Sequence, residues 1–320
     1  MLGLSLFILA ISAAAQTCLT ADDMDEPVRT ALTNTAHRYF DMAARGDIAG
    51  LQQNAIPAVA SDFDGIERAV KDNQAALSGA QATPRPPFLL EATGTAPLPR
   101  AEFLCGVFGP KGQTAHSSVF VIPNLSPGNY AVVIFDVAAT TGPRTLSFVL
   151  EQQGTDWRLG GFYVKSSQVA GHDGNWFADR AAEFKAKGEL HNAWFYYLEA
   201  RDLLVPVPFM NTLATDRLYD QMQDLKPADL PPSELTAGGK TFKPTALFPT
   251  VVGNDLDLEL KYQSANVSNT QQTFQDNMAL IKVLVAKYPE FRDGFTGVIA
   301  RAVGPSGNDY GSLLAMKDIK

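Results

Sequence analysis

Two cysteines and four histidines in 320 residues leave little material for thiol or metal chemistry. The chain has no C-x-x-C, H-E-x-x-H, G-x-S-x-G, S-x-x-K or P-loop, and no G-x-G-x-x-G after a strand pattern. His172 and His191 bracket one expected helix and so stand about 20 Å apart along it, too far to share a metal. No metal and no cofactor is expected. Clustered Lys and Arg are missing too, and the formal net charge is −8. Phosphate neutralisation needs clustered cations, so nucleic acid and anionic membrane surfaces are poor partners.

No apolar run is long enough to cross a bilayer. The one long run, "MLGLSLFILAISAAA", offers about 14 apolar residues where a span needs about 20, so no transmembrane anchor is expected. It ends in Ala13-Ala14-Ala15, an A-x-A signal that predicts a signal peptide over residues 1–15, cut before Gln16. No basic residue precedes the run, the first being Arg29, and an N-terminal core strand or helix is the alternative. Cleavage there implies an exported protein, periplasmic or extracellular. "AAAQTC" lacks the Leu of a lipidation signal and has Thr where a small residue belongs, so lipidation at Cys18 is not expected. In an oxidising compartment Cys18 and Cys105 form the only possible intramolecular disulfide. A buried free Cys105 with a loose Cys18 tail is the other possibility.

What is present is ordinary globular material, 46% apolar and 19% charged. "DEPVRTALTNTAHRYFDMAARGD" reads as a helix with Pro27 in its first turn and Gly46 as its stop, and "DGIERAVKDNQAALSG" repeats the helical period. After "ATPRPPF" the period becomes two. "PFLLEATG", "AEFLCGVFG", "SSVFVIP", "NYAVVIFDVAA", "RTLSFVLEQQ" and "DWRLGGFYVKS" read as strands separated by turn formers. Helices followed by such a run mean an α+β arrangement.

That order, with "RYFDMAARGDIAGLQ" and the closing "TDWRLGGFYV", resembles the NTF2-like (nuclear transport factor 2-like) superfamily over residues 22–170. The resemblance implies helices against a curved antiparallel sheet, a cone that often holds a pocket. Asp136 shares a strand face with Tyr130, Val132 and Ile134. A carboxylate in an apolar strand inside such a cone can act as a general base or anchor a ligand, with His116 and Tyr39 joining it. A strand-end Asp136 facing water is the plainer reading.

Residues 171–225 are helical. "NWFADRAAEFKAKGELHNAWFYYLEARDLLVP", within residues 174–206, resembles a single tetratricopeptide repeat. Phe177, Ala181 and Phe184 have the spacing of its first helix, Gly188 sits at its turn, and Ala193, Tyr197 and Ala200 have the spacing of its second. One copy cannot bury both faces alone, so the hairpin is expected to be an internal strut. Residues 226–244 read as a linker and 245–320 as a small α+β unit. There "DLDLELKY" alternates, putting Asp255, Asp257 and Glu259 on a wet face opposite the leucines, and "SNTQ" at Ser268–Gln271 reads as a capping box. "FTGVIARAV", "GPSGND" and "YGSLLAMKDI" read as strand, turn and strand.

The function expected from these features is non-catalytic binding or scaffolding at the cell envelope, with a protein or a small apolar ligand as partner. A small-molecule binder or an isomerase- or dehydratase-type NTF2-like enzyme using an interior pocket is the alternative.

Overall fold

The computed structural model describes residues 16–108, 113–114 and 116–320. The expected leader, residues 1–15, lies outside the described residues. The fold is mixed α+β and divides into two compact units, one reaching Ser166 and including Val205–Leu213, the other formed by Ser167–Leu204 and Ala214–Lys320.

The first unit runs β1 (Gln16–Leu19), α1 (Glu26–Arg45), α2 (Ile48–Gln53), α3 (Pro57–Ser61), α4 (Asp64–Leu77), β2 (Gln81–Pro84), β3 (Phe88–Ala92), β4 (Leu98–Cys105), β5 (Ser118–Leu125), β6 (Gly128–Ala138), β7 (Arg144–Gln153) and β8 (Asp156–Ser166). Pro27 opens α1, whose buried stripe is Leu32, Ala36, Tyr39, Phe40 and Ala43. Gly46 ends it at φ +70°, a left-handed conformation that favours glycine. Asp47 caps α2, its carboxylate accepting the Gly50 N–H at 2.9 Å.

A six-stranded antiparallel sheet follows the order β1-β3-β6-β7-β8, with β2 pairing β6 alongside β3. Alternation along β6 serves two cores at once. Ala131, Val133, Phe135 and Val137 pack with the helices, and Tyr130, Val132 and Ile134 pack with a second, smaller sheet. That sheet is built from β4, β5 and the returning strand Met210–Thr212. Alternation alone does not show that β4 and β5 leave the main sheet, because their pattern satisfies either face. Cys18 in β1 and Cys105 at the end of β4 are disulfide-bonded, Cα–Cα 5.0 Å, closing 87 residues and tying the edge of one sheet to the other.

The second unit contributes β9 (Gln168–Val169), β10 (His172–Asp173), α5 (Gly174–Lys187) and α6 (Leu190–Leu204). After the first unit's returning strand, here β11, come α7 (Leu213–Met222), β12 (Leu235–Ala237), β13 (Lys240–Phe242), β14 (Pro244–Val252), β15 (Asp255–Gln263), α8 (Thr270–Lys287), α9 (Phe291–Gly294), β16 (Gly297–Val303) and β17 (Asp309–Ala315). Residues 226–244, expected as a linker, carry the hairpin β12/β13 and bury Leu235, Ala237 and Phe242. Hydrophobic side chains two apart on a short hairpin face a core, a signal that the surrounding Pro and Gly residues obscure.

Strands β14-β15-β16-β17 form one sheet, antiparallel except for the central β15–β16 pair, which α8 connects. Leu256, Leu258, Leu260 and Tyr262 face a core shared with the α5/α6 hairpin, where Phe184, Phe195, Tyr196 and Tyr197 are buried with Tyr288, Phe291 and Phe295. Small residues permit that closeness. A Cβ on Gly174 would lie 2.6 Å from Leu204 Cγ, and one on Gly294 would lie 2.8 Å from Asn192 Oδ1. One detail of α8 differs from expectation: Asn269, not Ser268, caps it by accepting the Gln272 N–H. The helix buries Asn277 and leaves Phe274 exposed. Asn277 tolerates burial because Tyr262, Ser312 and the Tyr310 carbonyl satisfy its amide.

Candidate functional site

The residues singled out from the sequence do not converge. Tyr39 is fully buried on the helix side of the large sheet, where its hydroxyl donates to the Trp157 carbonyl at 2.9 Å. Burial pushes its pKa above the ordinary value, so it stays a neutral structural donor. Tyr130 is on the opposite side of that sheet, its hydroxyl donating to the Ser126 carbonyl at 2.9 Å. Asp136 shares Tyr130's face but extends past the core to a side-chain exposure of 58%. There Arg85 holds its carboxylate through Nε and Nη2. The water-facing reading of Asp136 is the one its surroundings match. His116 is exposed in the loop before β5. Both faces of the sheet are filled with large side chains, among them Phe135 and Phe148 on one and Phe103 and Phe120 on the other.

A polar concavity lies on the second unit, across one end of its four-stranded sheet. It is a cleft of about 810 Å³ lined by Thr245, Lys261, Gln263, Ser264, Arg301 and Asp309, among others. Strand alternation puts Lys261 on the face of β15 opposite the leucines, together with Asp257 and Glu259. Parallel pairing then sets Arg301 of β16 beside Lys261, and antiparallel pairing sets Gly311 of β17 beside Arg301.

This face is not the wet one expected. Asp257 is 3% exposed and Glu259 6%. Asp257 sits against Gly297, where a Cβ would come within 2.9 Å of its carboxylate. Burial, and next the charge of Asp255, push the Asp257 carboxyl up, and a hydrogen bond from the Gly297 backbone opposes them. Glu259 accepts Arg301 Nε at 2.7 Å, and Lys261 Nζ stands 3.8 Å from the same oxygen. Arg301 Nη1 donates to Asp309 at 2.8 Å. Hydrogen bonding to Glu259, then to Asp309, holds the guanidinium firmly charged. Lys261 Nζ also lies over the Phe248 ring, 5.0 Å from its centroid.

The chemistry this set offers is recognition. A fixed guanidinium and a more loosely held ammonium stand beside the hydroxyls of Thr245 and Ser264 and the amide of Gln263, and no nucleophile is hydrogen-bonded to a base among these lining groups. Among the described residues no group of three or more His, Cys, Asp or Glu is placed to hold a metal. Sequence reasoning missed Arg301. Its signal was a single cation inside the apolar strand "GVIARAV", a position that requires a partner, but the partner appears only once the register of β15 against β16 is known.

Two other polar clusters belong to the second unit. His172 stacks on Trp176 at 3.7 Å beside a hollow of about 240 Å³, which leaves one face of each ring already covered. His191 lies between two carboxylates, Nδ1 2.7 Å from Glu290 and Nε2 3.0 Å from Asp229. No protein-family model, no curated protein and no solved structure matches this chain.

Proposed function

We propose that this is an exported, non-catalytic binding protein of the cell envelope whose ligand-contact surface is the Lys261–Arg301 cleft. In this reading the first unit is an NTF2-like scaffold carrying an additional sheet. The tetratricopeptide-like hairpin is a strut within the second unit and offers no groove to a partner. The observation that carries the reading is the cleft itself: Arg301 and Lys261 arranged around a buried Glu259, at the open end of a sheet whose other face is core. Burying a carboxylate to hold Arg301 gives the fold no evident benefit that apolar residues would not give, and a fixed guanidinium with an uncommitted ammonium beside it is what a binding site needs.

Export rests on the apolar leader ending at Ala15, and the Cys18–Cys105 bond is compatible with an oxidising compartment. The test is the intact mass of the protein recovered from fractions of its native host. The mature chain should begin at Gln16 and carry a mass two hydrogens below that of the dithiol form. Recovery from the cytoplasm with Met1 retained and free thiols would overturn the compartment and with it this reading.

A further inference from the structure

We propose that the cleft takes the carboxylate of a small ligand on Arg301, and that Asp309 occupies that ligand position in the free protein. The proposal rests on the binding reading given above and names its ligand chemistry. Arg301 is fixed as if for recognition. Its guanidinium lies on Gly311, where any Cβ would stand 3.2–3.3 Å from Cζ, Nη1 and Nη2. One edge is held through Nε by Glu259, whose side chain is 8% exposed and cannot leave without stranding a charge.

The other carboxylate is of a different kind. Asp309 has a side chain 45% exposed, opens β17 directly after the Gly304–Asn308 turn, and bonds Arg301 through Nη1 at 2.8 Å. It lines the cleft, whereas Glu259 does not. A ligand carboxylate arriving there exchanges one charge-assisted bond for another and gains Lys261. The Lys261 ammonium has no hydrogen bond shorter than its loose 3.8 Å approach to Glu259 among the described residues. Charge agrees, since two cations and one carboxylate line the cleft of a chain whose net charge is −8. Size agrees too, as about 810 Å³ falls within the range of small-molecule sites. Thr245, Gln263 and Ser264 then supply neutral hydrogen bonds for the rest of the ligand.

The experiment titrates the full-length protein with succinate, with N-acetyl-trialanine acid and with N-acetyl-trialanine amide. The Arg side-chain N–H signals are followed by NMR and affinity by calorimetry. Both acids should shift the Arg301 Nε–H resonance saturably, and the amide should not. A response to the peptide acid but not to succinate assigns the carboxylate to a peptide terminus, and the reverse assigns it to a free dicarboxylate. Asp309→Asn removes the internal competitor and should tighten the acids about two- to fivefold, the range of one exposed charge interaction. Lys261→Gln should weaken them by a similar factor while lowering the melting temperature only slightly, since its contacts with Glu259 and Phe248 are loose. Arg301→Gln should abolish binding but can also unfold the sheet, so the Asp309 and Lys261 variants decide. If the amide shifts Arg301 as strongly as the acids, or Asp309→Asn fails to tighten them, the carboxylate proposal falls while the binding reading stands. If no probe perturbs the cleft at millimolar concentration, the proposal falls and the binding reading loses its supporting observation.

Discussion

The first unit encloses its core mainly with rings and aliphatic chains, Tyr39 to the Trp157 carbonyl being a buried polar exception, and adds a covalent tie, whereas the second carries several hydrogen-bonded polar side chains through its core and has no disulfide. In the first, Phe135 meets Phe148 edge-on and stacks on Phe40, and Cys18–Cys105 spans the two sheets. In the second, Tyr262 donates to Asn277, Asn277 to Ser312, Tyr196 to the Gly294 carbonyl, and Asn192 to the Glu290 carbonyl. Apolar packing tolerates small displacements, and the disulfide compensates by restricting the unfolded chain. Buried hydrogen bonds are directional, so they fix α8 against the sheet that carries the cleft and α6 against α9. A site made of an arginine laid flat on a glycine needs that second kind of support.

The largest separation of the two units should come from reduction. Closing 87 residues stabilises the oxidised form by about 4–5 kcal/mol on the loop-entropy model. Cys18→Ser with Cys105→Ser should therefore lower the denaturant midpoint reported by Trp157 of the first unit. Trp176 and Trp194 of the second should report a smaller change. Equal shifts at all three reporters would mean that the units do not unfold separately.

Alkaline pH should act in the opposite order. Burial, opposed by Arg180 and reinforced by Glu199, pushes Tyr196 up to about 12, and its hydroxyl donates to the Gly294 carbonyl, which a phenolate cannot do. Burial first, then a neighbouring carboxylate, raises Tyr262, while burial and a hydrogen bond to Asp229 raise Tyr288. A folded-state pKa above the unfolded value gives stability that is complete below the unfolded pKa, near 10, and lost as pH rises through the folded one. For Tyr196 alone that loss is about 2 kcal/mol by pH 12. Fluorescence of Trp194 should change at a lower pH than that of Trp157, and the reverse order would contradict the comparison.

Ala193→Trp probes whether the hairpin belongs to the second unit's core. Ala193 is fully buried there with Phe184, Tyr197 and the leucines of β15. Overpacking should cost about 1–3 kcal/mol and reduce the protection of the Leu258 and Leu260 amides as well as those of the helices. Residues 172–225 expressed alone should not fold. An isolated hairpin that folds, or a variant that loosens α6 only, would show that the strut is independent.

Much of this was legible along the chain and little of it across the chain. Periodicity located α1, α4, α5, α6 and α8 and the strands β3 to β8, because each has a buried stripe or alternation of its own. It did not reveal β1, which directly follows the apolar stretch of residues 1–15, or β2, whose four residues include Pro84. Nor could it separate β4 and β5 into another sheet, since alternation records which residues are buried and not against what. The cleft was invisible for the same reason. Lys261 and Glu259 were on one face by counting, but Arg301 joins them through a pairing partner 40 residues away, and Asp309 and Gly311 follow only through the β16–β17 pairing. Asp136 looked chemical because it is charged within an apolar run. Its run simply outlasts the core, and Arg85 meets it at the rim.

The smallest expected effect concerns the contact between Asp229 and His191. Burial alone would raise the Asp229 carboxyl. The hydrogen bond with His191, then one with Tyr288 and the charge of the His191 ring, outweigh it and hold the carboxyl below its ordinary value. A depressed folded-state pKa gives stability that is present above the unfolded value, near 3.9, and is lost as pH falls through the folded one. The side chain of Asp229 is 52% exposed, so solvent and salt screen most of that gain. The groups facing His191 are Asp229 and Glu290, with Tyr288 packed against its ring. Asp229→Asn should thus lower the melting temperature slightly at pH 6, by an amount that shrinks in high salt and disappears below pH 3. Glu290→Gln should have the larger effect, because Glu290 is the more buried partner and makes the shorter contact. A bigger loss from Asp229→Asn than from Glu290→Gln would mean that His191 serves to hold residues 226–234, and that the second unit depends on that segment more than on its sheet.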